Sequence, residues 1–203
     1  MTKGYKTFHF FVAPIVKLVC RIKIVGGDNA PLSGGYLVCS NHISAADPVI
    51  ICASMRRQVR YMGKKELFKI PGLSLLLRSL GAFPVDRGAA DVGAVKTSIK
   101  LLREGDMVGM FPQGTRRPGV DPRKTGVKTG ASMIAYRANV DILPVYIHRK
   151  DNKPKLFRKT VVIIGKPIPF SSFNYDGEAS GEYQRIANEI FDAICKLGEE
   201  YKK

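Results

Sequence analysis

Short apolar runs bounded by turn residues recur along this chain, with segments of helical character between them. Gly35-Tyr-Leu-Val-Cys-Ser40, Met107–Phe111, Ile142–Ile147 and Val161–Ile164 are four such runs. A continuous apolar run of this length suits a strand covered on both faces better than one with a wet face. Arg21–Gly26, Val59–Met62 and Ala82–Val85 read as further strands. Helices are expected over Lys64–Lys69, Pro71–Leu80, Ala90–Arg103, Thr129–Ala138 and Glu182–Leu197. Another begins at Asp47-Pro48, which reads as an N-cap followed by proline at the first helical position, and runs to about Met55. Strands alternating with helices specify an α/β fold, a mixed, largely parallel central sheet flanked by helices. At 203 residues the chain is long enough to bury one such core.

The first 25 residues differ in character. Lys3 and Lys6 precede the apolar run Phe8–Val16, as in a signal peptide, but no small-x-small cleavage site follows, and Val19 before Cys20 makes a poor lipoprotein site. Pro14 and Lys17 interrupt the run, which falls short of the roughly 20 apolar residues that span a bilayer. An amphipathic helix fits, carrying Phe8, Phe10, Phe11, Val12, Ile15, Val16 and Val19 between Lys3, Lys6, Lys17, Arg21 and Lys23. Such a helix suits either a bilayer interface or the surface of the domain, and the flanking amines favour the interface.

Charge points the same way. Thirty-three Lys and Arg face seventeen Asp and Glu, a formal excess of +16. A field of that sign draws anionic leaflets, nucleic acids or phosphorylated substrates. No zinc-finger spacing or ribonucleoprotein strand is present, and the chain has no Trp for a stacking platform, so a membrane or phosphate partner is expected and nucleic acid is not. Cys20, Cys39, Cys52 and Cys195 show no C-x-x-C spacing and read as reduced thiols in apolar surroundings, so neither a disulfide nor a metal is expected.

Three polar clusters stand where strands are expected to end: Asn41-His42 with Asp47, Asp86-Arg87, and Gln113-Gly114-Thr115-Arg116. In open α/β sheets the ligand crevice lies beyond the carboxyl ends of the strands, so clusters distant in sequence can converge there. Each cluster alone is weak: Asp47 has a bland explanation as a helix cap, and a lone Arg is usually solvated. Together, in order, they resemble the signature blocks of the glycerolipid acyltransferase family. The blocks are Asn41-His42-x-x-x-x-Asp47, Gly81-Ala-Phe-Pro-Val-Asp-Arg87, Phe111-Pro-Gln-Gly-Thr-Arg116 and the strand containing Leu143-Pro144-Val145. Lys64–Pro71 also resembles the segment these enzymes carry between the first two blocks, and the likeness covers about residues 5–170. It implies a division into residues 1–25, a membrane-associating helix, and 26–203, the acyltransferase domain.

The residue types suit the chemistry this resemblance implies. Acyl transfer from a thioester to an alcohol needs the hydroxyl proton removed as the oxygen attacks, and an imidazole titrating near neutral pH serves as the base. A carboxylate on its other ring nitrogen fixes the tautomer. His42 is therefore the expected base and Asp47 its orienter. No protein nucleophile is required, because the acceptor supplies the attacking oxygen. Arg87 and Arg116 offer guanidinium donors to a phosphate. Gly114 lets backbone approach a ligand, Thr115 adds a hydroxyl, and Lys128 stands near a helix start that favours anions. Asn41 and Gln113 are supporting residues. Gln113 departs from the family's usual glutamate, which points to positioning rather than acid–base work at that site.

The resemblance implies transfer to the sn-2 hydroxyl of 1-acylglycerol 3-phosphate at the cytoplasmic face of the cell membrane, by a peripheral or monotopic protein. The expected co-substrate is acyl-CoA or acyl-acyl carrier protein, with no cofactor. Glycerol 3-phosphate, another lysophospholipid or an acyl-amino-acid lipid is the alternative acceptor. A non-catalytic basic protein binding membrane or nucleic acid would explain the charge but leave the ordered blocks without a reason.

Overall fold

The computed structural model describes residues 2–86, 91–177 and 180–202. Its strands are β1 (Ile22–Val25), β2 (Tyr36–Ser40), β3 (Val59–Lys64), β4 (Phe83–Val85), β5 (Met107–Met110), β6 (Asp141–Arg149) and β7 (Thr160–Ile164). Among the described residues they form one sheet in the order β1-β7-β6-β2-β5-β3-β4. Every neighbouring pair is parallel except β6 and β7, so the sheet is mixed and largely parallel.

Both faces are covered, which is why the central strands are apolar without alternation. Val38 of β2, with Val162 and Ile164 of β7, faces one core, whereas Leu37, Cys39, Val161 and Ile163 face the other. On the first face lie α1 (Lys3–Thr7), α2 (Ala13–Val19), α3 (Asp47–Ser54) and α4 (Leu73–Ser79). On the second lie α5 (Val92–Arg103), α6 (Gly130–Ala138) and α7 (Glu182–Lys202). From β2 the chain crosses by α3 to β3 on one side, and from β5 by α6 to β6 on the other. The connections diverge beside the carboxyl end of β2, which makes that end a topological switch point.

Three expectations are corrected. Asp47 is the first residue of α3 rather than its N-cap; Ala46 holds the cap position, and the Asp47 carboxylate turns back to the preceding loop. The helix expected over Lys64–Lys69 is a 3-10 turn over Lys65–Lys69, because β3 continues to Lys64 to pair Gly63 with Pro84 and Lys64 with Val85. The closing helix passes Leu197 and ends at Lys202. Gly198 does not stop it: a Cβ there would lie 2.5 Å from the Tyr146 ring, so glycine admits β6 packing rather than a turn.

The N-terminal segment divides its apolar residues between two environments. A π-helical turn, Phe8–Val12, joins α1 to α2 just before Pro14, whose missing N–H interrupts the regular ladder. Tyr5, Phe8 and Ala13 are buried in the first core, and Val12 and Val16 pack against it. Phe8, Val12 and Val16 therefore leave the face expected to be free. Phe10, Phe11, Ile15 and Leu18 remain 61–77% exposed. No described helix is long and apolar enough to cross a membrane.

The docking of this segment includes a partly buried imidazole. The Tyr5 hydroxyl lies 2.9 Å from the Arg57 carbonyl, and His9 Nε2 lies 2.9 Å from the Cys52 carbonyl. Burial holds the His9 imidazole below its ordinary value of 6.5, and burial does the same at His148. Because the folded state disfavours the charged ring, this stability is complete above the ordinary value and is lost as pH falls through the depressed one. Thermal unfolding followed by circular dichroism should show a lower midpoint at pH 5 than at pH 7. The decrement should be smaller in His9→Gln.

Candidate active site

The loop leaving β2 is built around one carboxylate. Asp47 is fully buried, and its Oδ2 accepts the Ile43 N–H at 2.6 Å, the Ser44 N–H at 2.7 Å and His42 Nδ1 at 3.0 Å. The Asp47 N–H donates to the Ser44 carbonyl at 3.1 Å, closing the turn that brings residues 42 and 47 together. The N–H groups of this turn thus capture the carboxylate and aim one oxygen at the imidazole. With Nδ1 held, Nε2 is the ring nitrogen left to exchange a proton.

Each expected supporting residue fixes a different side of this loop. Asn41, buried, extends the β2–β6 pairing with its side chain: Nδ2 donates to the Ile147 carbonyl at 3.0 Å and Oδ1 accepts the Ile147 N–H at 2.7 Å. Gln113, also buried, accepts the His42 N–H on Oε1 at 2.7 Å and donates from Nε2 to Thr125 Oγ1 at 2.8 Å. Thr125 spends its single proton on the Pro122 carbonyl at 2.7 Å, so it must accept from residue 113. A glutamine satisfies both partners at once. A glutamate would compete with Pro122 for that proton.

Two cavities share His42 and Tyr61. The first, about 280 Å³, is mostly apolar, with Val49, Cys52, Leu77 and Leu80 in its walls and Lys64 and Arg116 at its margin. The second, about 440 Å³, includes Asp86, Gly114 and Lys128. Arg116 and Lys128 are both exposed and so flank the imidazole from different cavities. Gly114 adopts φ 69°, and a Cβ there would lie 2.9 Å from the Lys128 side chain, so the stem of that lysine fills the space above it. Thr115 is exposed beside them. Arg87 lies outside the described residues.

Sequence reasoning missed three contributors. Arg149, at the end of β6, is buried and brings Nη2 to 3.6 Å from Asp47 Oδ1, the oxygen that accepts no hydrogen bond among the described residues. Phe111 stacks on His42 with centroids 3.9 Å apart, and Tyr61 stacks on Phe111 at 5.4 Å. Gly109 makes room for that column, since a Cβ there would lie 2.2 Å from the Tyr61 ring. The Tyr61 hydroxyl is buried without a hydrogen-bond partner among the described residues, and burial holds its pKa well above 10. A basic stretch at 149–159 reads as solvent-facing, so nothing local singled out Arg149.

Removing one member of a buried ion pair costs about 3 kcal/mol or more, because it strands the other charge. Arg149→Met should therefore lower the free energy of unfolding in urea by that order. Adding Asp47→Asn should recover part of the loss, whereas simple additivity of the two losses would show that the groups are uncoupled.

Comparison with known proteins identifies the family and the fold. The family model described as Acyltransferase matches residues 21–148. The 1-acyl-sn-glycerol-3-phosphate acyltransferase of Bacillus subtilis is 33% identical over 162 residues, covering 78% of this chain and 79% of the relative. Those of Borreliella burgdorferi and Streptococcus pneumoniae are 31% and 33% identical, covering 65% and 83% of this chain but only 53% and 62% of their own lengths. The crystal structure of the 1-acyl-sn-glycerophosphate acyltransferase PlsC from Thermotoga maritima superposes with a TM-score of 0.68 at 22% identity, covering 100% of this chain and 85% of that one. The fold is thus one already seen in a solved acyltransferase, and by sequence the chain belongs to the acyltransferase family.

Proposed function

We propose that this protein transfers a fatty acyl chain from acyl-CoA or acyl-acyl carrier protein to the sn-2 hydroxyl of 1-acylglycerol 3-phosphate, forming phosphatidic acid. The observation that carries this reading is the 3.0 Å contact between His42 Nδ1 and the buried Asp47 carboxylate, where a mostly apolar cavity meets a second one lined by Asp86, Asp91 and Lys128. The names of the relatives supply the acceptor.

His42 Nε2 takes the proton of the acceptor hydroxyl as its oxygen attacks the thioester carbonyl. The C–O bond forms, the C–S bond breaks, and the proton passes from the imidazolium to the departing thiolate. Asp47 keeps the ring in the tautomer with hydrogen on Nδ1 and stabilises the charge that appears on it. Arg116, Lys128 and Arg87 serve the phosphate, with Gly114 and Thr115 beside them, while the apolar cavity takes acyl chain. Asn41 and Gln113 position the loop. Cys52 lines that cavity, but burial pushes its thiol up to about 12, so it remains protonated and does not compete as a nucleophile. The segment 1–25 associates with an anionic membrane through Phe10, Phe11, Ile15 and Leu18, and residues 26–203 form the catalytic domain. The protein works from the cytoplasmic face, where its lysolipid substrate lies.

Thiol release from acyl donor with lysophosphatidate tests this directly. His42→Ala should lower turnover by roughly 10²–10⁴-fold while vesicle binding persists. Full activity in that variant, or no release by the wild type with any lysophospholipid, overturns the reading. Gln113→Glu should keep the acceptor KM and the pH profile of kcat and lose about 1 kcal/mol of stability, since one hydrogen-bond acceptor goes unpaired.

A further inference from the structure

The β6–β7 connection, residues 150–159, lies at the reacting end of the sheet. β6 runs parallel to β2 and β7 runs antiparallel to β6, so the connection leaves and returns at the end where His42 follows β2. Arg149 faces Thr160 in register at its base. The connection is tied on two sides. The Gly119 N–H donates to the Asn152 carbonyl at 2.8 Å and Asn152 Nδ2 to the Val120 carbonyl at 3.2 Å, fastening it to the loop that carries Arg116. The Phe157 N–H donates to the Val19 carbonyl at 3.0 Å and the Thr160 N–H to the Cys20 carbonyl at 3.2 Å, fastening it to the end of α2.

Its tip projects apolar side chains. Leu156 and Phe157 are 72% and 67% exposed, and Phe157 sits at φ 60°, a conformation that a bulky residue adopts only when its surroundings impose it. Phe11, Ile15 and Leu18, spaced i, i+4, i+7, form an exposed stripe that ends one residue before Val19, where the tip is anchored. Lys153, Lys155, Arg158 and Lys159 flank the tip in sequence, all exposed, and Lys17 and Arg21 flank the end of the stripe. Exposed apolar side chains interleaved with exposed cations match an anionic lipid leaflet: hydrocarbon enters the acyl boundary while amines meet headgroup phosphates.

We propose that the β6–β7 connection is a second membrane-insertion element, which together with α2 seats the open end of the sheet against an anionic leaflet. It rests on the membrane reading of the N-terminal segment and adds an insertion point from a distant part of the chain. Its link to the Arg116 loop fixes the height of the phosphate donors above the lipid.

The chain has no Trp, so Phe157→Trp provides a lone reporter. With phosphatidylglycerol vesicles its emission should shift to the blue and be quenched by acyl-brominated lipid. In sedimentation, Leu156→Ser with Phe157→Ser should weaken vesicle partitioning roughly tenfold or more. Turnover should fall on vesicle-embedded acceptor but not on a monomeric short-chain one. If wild type sediments with vesicles while the double variant sediments equally and the reporter stays in water, the insertion element is overturned and the N-terminal reading survives. If wild type does not sediment, both fall.

Discussion

A fully buried carboxylate must be compensated on both oxygens, and the compensation of Asp47 organises the reacting end of this molecule. One oxygen takes two backbone N–H groups and an imidazole, and the other faces a buried guanidinium. These partners come from the loop after β2 and from the end of β6. Satisfying one charge therefore fixes the loop conformation, the tautomer of His42 and the proximity of two strand ends.

Two neutral amides complete the frame. Asn41 imitates a backbone peptide where β2 has stopped pairing, so the sheet's hydrogen bonding extends one residue into the loop. Gln113 bridges the His42 N–H to the Thr125 hydroxyl. Neither brings charge into the site, whose charged groups are Asp47 and Arg149 beside the loop and Lys64, Arg116, Asp86, Asp91 and Lys128 in the two cavities that His42 lines. A glutamine in place of the family's usual glutamate fits that division, because the hydroxyl it meets is already committed as a donor.

The sheet was legible because runs such as Tyr36–Ser40 and Thr160–Ile164 are apolar on both faces and bounded by turns. Boundaries blurred where polar residues continue a strand, as in β6, whose Asp141, His148 and Arg149 disguise nine paired residues. The polar clusters were legible because each follows a strand, but their partners were not. Asp47-Pro48 reads locally as a cap, and only the folded loop, in which the Ile43 and Ser44 N–H groups donate to Asp47, reveals where the carboxylate goes. Arg149 sits in a basic stretch, and its burial follows from opposing Thr160 and meeting Asp47, both set by tertiary structure. The aromatic column depends on an absent Cβ at Gly109, which spacing cannot display.

That column has a geometric consequence. Phe111 lies nearly parallel to His42, at 12° and 3.9 Å, and Asp47 holds Nδ1. A stacked ring cannot turn about its Cβ–Cγ bond without losing that contact. The stack and the carboxylate together aim Nε2 in one direction, and Phe111 contributes to this without placing a further anion beside the phosphate of an incoming substrate.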